Sequence, residues 1–344
     1  MSGSLFSSVV PAAVSGRMDQ FTNYVMSLPP HPHLSEYVLP FVETHNWVAS
    51  KVILSHLHTV LYVAFGYHVL FLLSQWILFP PLASYRLSWD ADTGAASQDP
   101  AKGKSKGKAK AKAKALERQH TDLVNQSAVR LVSWIQSLVV LYLSFEAISH
   151  NNSQASLLTP HDRVFGIDAY NVKVCVFAIG YFLWDIYISM VYSTLPFVLH
   201  GLISTVVYAI GLKPYINYYA GIFLMFELSN PFLNIRWFGI KYMPQLSKDC
   251  QTVVAKLSNV VQLVNNIALI SMFFLARICW GFYQFYQLCT DFYAVRNDPN
   301  FLPLETAIIV VGNLTLDVLN LFWLSAMLSV AVRIIKKGGK VQDK

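Results

Sequence analysis

Charge is scarce in this sequence. Only 13% of its 344 residues are Asp, Glu, Lys or Arg, about half of what a soluble domain uses to face water. A chain so composed does not build an ordinary aqueous surface. Cysteine is scarce too: Cys175, Cys250, Cys279 and Cys289 are scattered, two of them inside apolar runs. They form neither a disulfide framework nor a CxxC metal site, and no metal is expected. There is no Walker loop and no GxGxxG, so no nucleotide phosphate cradle. No Ser or Cys stands at a spacing that reads as a nucleophile triad. His56 and His58 lie two apart, on different faces of a helix, and make a poor metal pair. The N-terminal stretch, interrupted by Pro11, has no basic region followed by a clean apolar run, so a cleaved signal peptide is not expected.

What is abundant is apolar sequence. Hydrophobic residues make up 54% of the chain and the mean hydropathy is +0.42. A bilayer core of ~30 Å needs about 20 apolar residues in a helix. Seven stretches qualify: Val52–Phe79, ending at Pro80-Pro81, Ala128–Ile148, Val172–Tyr192, Leu195–Leu212, Pro214–Phe232, Val260–Tyr286 and Leu304–Ile335. The third, fourth and fifth are joined so tightly, at Ser193-Thr194 and near Lys213-Pro214, that they must be antiparallel neighbours. The expected fold is all-α and polytopic. Its expected parts are an N-terminal segment (1–51), a first spanning helix (52–86), a Lys-rich linker (87–127), a helical transmembrane domain (128–336) and a tail (337–344).

The basic residues sort by side. The loops after spans one, three and five, with the C-terminus, hold 19 of the 26 Lys and Arg; six lie on the other side, and Arg277 falls inside a span. The positive-inside rule then places the C-terminus in the cytosol and the N-terminus in the lumen. The sequon Asn151-Asn152-Ser153 falls on the lumenal side, in agreement. A net charge of +7 would invite a nucleic-acid reading in a soluble chain, but here it serves orientation, and no nucleic-acid partner is expected. The stretch from Asp90 to Arg118 carries Lys102, Lys104, Lys106, Lys108, Lys110, Lys112 and Lys114 among Gly, Ser and Ala. It is expected to be disordered, and acts either as a solvated tether or as a contact for anionic lipid head groups, each Lys contributing about 1 kcal/mol near the surface.

Charged residues inside the spans stand out, because each costs at least ~2.5 kcal/mol at mid-bilayer unless it faces protein or water. They are Asp185, His200, Glu227, Arg277 and Asp317, and each has polar company on its own helix face. Asp185 pairs with Ser189, His200 with Ser204, and Glu227 with Asn230 and Asn234. Asn313, Asp317 and Asn320 form a stripe, as do Gln262, Asn266 and Arg277, and Arg130, Ser133 and Gln136. Six helices turning polar stripes inward imply a common cavity. The plainer alternative is that the charges pair, Arg277 with Asp317 or Glu227, and only hold helices together.

Four blocks carry a family resemblance: Gly180-Tyr181-Phe182-Leu183-Trp184-Asp185, Pro196-Phe197-Val198-Leu199-His200, the run from Phe226 to Phe238, and Leu316 to Trp323. In these the chain resembles the TLC-domain family of ceramide synthases and translocating-chain-associating proteins, and among its branches it looks most like TLC domain-containing protein four. The resemblance runs from about Arg130 to Lys336. It implies a six-helix barrel holding a lipid or acyl chain in a secretory-pathway membrane, most naturally the endoplasmic reticulum, with a role in lipid homeostasis. Substrate-contacting residues would then be Gln136, Glu227, Asn230, Asn234, Arg277, Asn313, Asn320 and Trp323. If the protein were an acyltransferase like the ceramide synthases, taking acyl-CoA and a sphingoid base, His200, Asp185 and Asp317 would be its catalytic set. The family's adjacent histidine pair, however, reads His200-Gly201 here, and a family histidine in the second-helix block reads Gln136. These departures favour a binder without a cofactor over an enzyme. A cargo receptor or translocation accessory is the remaining reading.

Overall fold

The computed structural model describes residues 12–44, 51–95, 106–244 and 252–336. Among them every regular element is helical. α1 (Ala12–Ser27) precedes a short π-turn and helix ending at Thr44. α2 (Lys51–Leu73) passes through a π-segment, Ser74–Leu78, into α3 (Phe79–Ala95). α4 (Lys106–Ser153) is followed by the single-turn α5 (Pro160–Phe165), then α6 (Ala169–Tyr192) and α7 (Leu195–Gly211). A broken pass comprises a 3₁₀ turn at Asn217–Tyr219, α8 (Ala220–Leu224), a second 3₁₀ turn at Met225–Ser229 and α9 (Asn230–Tyr242). α10 (Val253–Phe273) runs through a π-segment, Phe274–Trp280, into α11 (Gly281–Val295), and α12 (Pro303–Lys336) follows.

Five of these helical runs are long and apolar enough to cross a membrane. α7 is shorter, about 25 Å at 1.5 Å per residue. The broken pass reaches roughly 40 Å over its α and 3₁₀ turns. The outward face fits lipid. Trp76, Ile77 and Phe65 on the first pass, and Leu257, Val264 and Ile267 on α10, are all at least 60% exposed. That is an inside-out surface for water and an ordinary one for hydrocarbon.

Two expectations are corrected. The first span does not stop at Pro80-Pro81, since helix continues to Ala95. A proline leaves carbonyls without their N–H partners, and the π-segment directly before it widens the turn enough to absorb the break. The Lys-rich linker is not disordered where it is described: residues 90–95 and 106–118 are helical. Ala and Lys are both strong helix formers, and extending an existing helix avoids the cost of nucleation. Lys102 and Lys104 lie outside the described residues. Lys106, Lys108, Lys110 and Lys112 lie on the helix, and Lys114 is exposed on it.

With lipid outside, apolar burial gives helices little reason to associate, so close packing must do it. Small residues make that possible. A Cβ on Gly180 of α6 would lie 2.6 Å from Val63 Cγ1 and 2.9 Å from the Val60 carbonyl of α2. A Cβ on Gly221 of α8 would meet Ser144 and Ala147 of α4 at 3.2 Å. Around these contacts, Val60, Val63, Tyr67 and Phe71 pack against Tyr181 and Trp184 in the larger core. A smaller core lies at the end away from the Lys-rich linker, around Val164, Tyr215, Ile216, Leu288, Phe292 and Ile309.

That far end is also closed by polar pairing. Arg163 of α5 donates from Nε and Nη2 to the two carboxylate oxygens of Asp291, at 2.6 and 2.5 Å. Tyr219 donates to Asp291 Oδ2 at 2.6 Å, and Lys213 meets Glu305 at 2.8 Å. α5 starts on a capping box in which the Thr159 side chain and backbone donate to Asp162, holding that carboxyl below its ordinary pKa. Asn151 is not a loop residue. It sits in α4, 5% exposed, donating to the Tyr218 carbonyl and accepting from Asn171. Its amide is occupied in the folded chain, so the sequon offers no acceptor there.

Candidate functional site

At the end nearer the Lys-rich linker the helices enclose a cavity of about 310 Å³. Its wall takes residues from α4, α6, α7, the broken pass, α10 with its π-segment, and α12. It therefore has the six-helix construction expected from the polar stripes. Gln126 of α4 sits at the rim, where its amide donates to the Tyr192 carbonyl at the end of α6.

The floor is built around Arg277. The π-segment that carries it sits in the middle of a long helix, and such segments recur at functional sites. Arg277 is 5% exposed. It donates to Ser229 Oγ at 3.2 Å, Asn320 Oδ1 at 3.1 Å and Asn230 Oδ1 at 3.1 Å. Glu227 Oε1 lies 3.9 Å from its Nη2, and Asn230 donates to Glu227 Oε2 at 2.5 Å. Glu227 and Ser229 stand in the 3₁₀ turn that ends at Asn230-Pro231. Pro231 has no N–H to give the preceding turn, so the backbone tightens there and turns these side chains toward Arg277. The rings of Phe273 and Trp323 complete the surroundings of the guanidinium, at 5.0 and 5.8 Å.

His200 of α7 lines the cavity between Phe182 and Trp323, edge-on to both. Its Nδ1 is buried and takes no hydrogen bond. Asp185 of α6 also lines the cavity, accepting only from Ser189 Oγ at 3.5 Å. Behind it, Gly201 is buried against α6. A Cβ there would lie 3.0 Å from Ile186 Cγ1 and 3.4 Å from Asp185 Oδ2, so this helix pairing leaves no room for a second imidazole.

Of the expected site residues, His200, Asp185, Glu227, Asn230, Arg277 and Trp323 meet at the cavity, and Asn320 joins them through Arg277. The others do not reach it. Gln136 is fully buried with neither side-chain atom bonded; at ~100° per residue it is turned about 120° from Arg130 on the same helix. Asn313 and Asp317 lie on α12 roughly 15 and 9 Å below Trp323 at 1.5 Å per residue. Asn313 donates to the Ile309 carbonyl, and Asp317 Oδ2 is buried without a partner. Asn234 is taken up by Ser133 and the Asn230 carbonyl. Arg277 pairs with Glu227 and not with Asp317. Tyr181, Ser229, Phe197 and Phe273 also line the cavity; the first three stand in the blocks that carry the family resemblance, but none is among the expected site residues. Aromatic and hydroxyl residues in an apolar run look like any other core position. Arg130 belongs to the stripe with Ser133 and Gln136, although it counts among the 19 basic residues assigned to the cytosolic side and not among the charges inside the spans.

The fold is that of an all-α polytopic membrane protein, here with a chamber at one end whose mostly apolar wall carries charged side chains. Residues 126–329 match the TLC domain family. The chain is 48% identical to a TLC domain-containing protein of Saccharomyces cerevisiae over 92% of its own length and 96% of that protein. It is 30% identical to topoisomerase I damage affected protein 4 of the same yeast, over 60% of this chain and 70% of that one. It is 28% identical to human TLC domain-containing protein 4 over 48% and 60%. No solved structure matches. The chain belongs to the TLC domain family.

Proposed function

We propose that the protein is a lipid-handling membrane protein that holds the polar part of a membrane lipid in this cavity and acts in lipid homeostasis. One observation carries the reading. The polar chamber adjoins an apolar groove of about 220 Å³, and the two share Leu233, Leu269, Ala326 and Met327. The chamber is at the small end of ligand pockets, which run to ~300–1,000 Å³. It suits a headgroup, with the acyl chain leaving through the groove toward the bilayer. The distribution of Lys and Arg supports a cytosolic position for this end, and the family supports a membrane of the endoplasmic-reticulum type. The Lys-rich helix would then stand beside the anionic cytosolic leaflet.

The test is mass spectrometry of lipid retained by the gently purified protein. Glu227→Leu should abolish retention or folded yield, whereas Glu43→Leu, on an exposed N-terminal position, should change neither. Equal behaviour of the two variants would remove Glu227 from the cavity lining.

An acyltransferase reading rests on His200 and Asp185 sharing the cavity. A general base needs an orienting partner, and His200 Nδ1 has none. Negligible acylation of a sphingoid base by acyl-CoA is therefore expected, with lipid retention surviving His200→Ala. Robust transfer abolished by His200→Ala would establish the enzyme instead. Absence of both lipid and turnover, with a co-purifying protein, would favour the cargo-receptor reading.

A further inference from the structure

The chamber holds two acids and two guanidinium groups, and only one pair is satisfied. Glu227 and Arg277 meet each other. Arg130 and Asp185 also line the cavity, yet among the described residues Arg130 makes no hydrogen bond or ion pair, and Asp185 accepts only the long contact from Ser189. Charges of opposite sign in one apolar-walled space would gain several kcal/mol by closing on each other at ~4 Å. The helices keep them apart.

Their depths follow from helix geometry. Gln126 is level with Tyr192, as their hydrogen bond shows. Arg130 stands four residues below that level on α4, and Asp185 seven below it on α6. At 1.5 Å per residue these are depths of about 6 and 10 Å. The cation is nearer the rim and the carboxylate deeper, with an axial offset of about 4 Å, which a short alkyl bridge between two charges spans. The adjoining groove takes Ala326, Met327, Val330 and Ala331 from α12, all nearer the rim than Trp323, and its mostly apolar lining also includes Arg236 and Asn266. A ligand entering head first would thus place a terminal cation on Asp185 and an anion on Arg130, and leave its chains at the groove.

Resting on the lipid-binding reading above, we propose that the ligand is a zwitterionic aminophospholipid, its primary ammonium held by Asp185 and its phosphate by Arg130. A primary ammonium brings three N–H donors to the Asp185 carboxylate; a quaternary ammonium brings none.

The experiment uses the full-length purified protein, delipidated in detergent, with native mass spectrometry of bound lipid after titration with four dioleoyl lipids. These are phosphatidylethanolamine, phosphatidylcholine, phosphatidic acid and dioleoylglycerol. Phosphatidylethanolamine should bind at least tenfold tighter than the other three. Asp185→Asn should remove its advantage over phosphatidic acid, and Asp185→Glu should restore part of it. Arg130→Gln should weaken all three phosphate-bearing ligands and leave dioleoylglycerol unchanged. Variants are compared only when they elute as the parent does, and the lipid comparison on the unaltered protein stands without them. Binding of all four lipids with one affinity, or an unchanged ratio in Asp185→Asn, would overturn the headgroup assignment while lipid binding stood. Binding of none would overturn both.

Discussion

Arg277→Met tests whether the polar floor is a satisfied network. Methionine keeps much of the length and none of the charge. The substitution removes donors to Ser229, Asn230 and Asn320 and leaves Glu227, 3% exposed, without its cation. A unit pair near 4 Å is worth about 4 kcal/mol at an effective dielectric of 20, and breaking a buried pair from one side costs ~3–5 kcal/mol. The hydrogen bonds overlap with that figure and are not added to it. Arg277→Met should therefore cost ~3–5 kcal/mol. Adding Glu227→Gln should return about 2 kcal/mol, because the stranded charge accounts for much of the loss. Lys256→Met, on an exposed face of α10, should change stability by under ~0.5 kcal/mol. The assay is thermal unfolding in detergent with size-exclusion recovery, run as a double-mutant cycle. If Arg277→Met unfolds with the parent, or if the double variant is no more stable than Arg277→Met alone, the pairing is not what holds the floor.

Three further outcomes are expected. Gly180→Leu should destabilise by ~1–3 kcal/mol through overpacking, seen as lower thermal stability. Val63→Ala should relieve it only in part, since the Val60 carbonyl, 2.9 Å from the added Cβ, is backbone. Gly201→His should lower stability by a similar ~1–3 kcal/mol and create no acyl transfer to a sphingoid base, in the same unfolding assay and a turnover assay. Asn151 should carry no glycan on the folded protein, so endoglycosidase should leave its mobility unchanged, and Asn151→Gln should lower folded yield because two buried hydrogen bonds are lost.

The spans were legible because a bilayer imposes a length, and runs such as 172–192 and 304–335 meet it. The charged cavity residues were legible for the same reason in reverse: Asp185, His200, Glu227 and Arg277 stand out where charge is costly. Periodicity could not go further. It places Gln136 near the Arg130 stripe but cannot resolve the rotation that buries it elsewhere. It cannot say that Asn313 and Asp317, though in line with Asn320, lie too deep. The helix through Pro80-Pro81 was hidden because nothing in Ser74–Leu78 announces a π-turn. The breaks around Glu227 were half visible, Asn230-Pro231 marking a joint without giving its direction. Phe273 carried no signal and Tyr181 only its place in a family block, since an aromatic ring facing a cavity and one facing the core are the same letter.

The two ends of the bundle settle their charges differently. At the far end Arg163, Asp291 and Tyr219 satisfy one another, Lys213 meets Glu305, and Asn151 and Asn171 are joined. Those bonds tie α4, α5, α6, α11 and α12 together and pair the charged groups there, leaving Asn171 Oδ1 as a buried polar atom without a partner. At the end bearing the Lys-rich helix Arg277 is equally well served, yet Arg130, Asp185 and His200 face the cavity with few partners or none. In an apolar surrounding each such group costs several kcal/mol unless water or a ligand meets it. A bundle that only needed to hold together could have paired these groups, as it pairs those at the other end. Leaving a cation, an acid and an imidazole open at one end, above a floor whose own charges are balanced, is the arrangement that the proposed headgroup site requires.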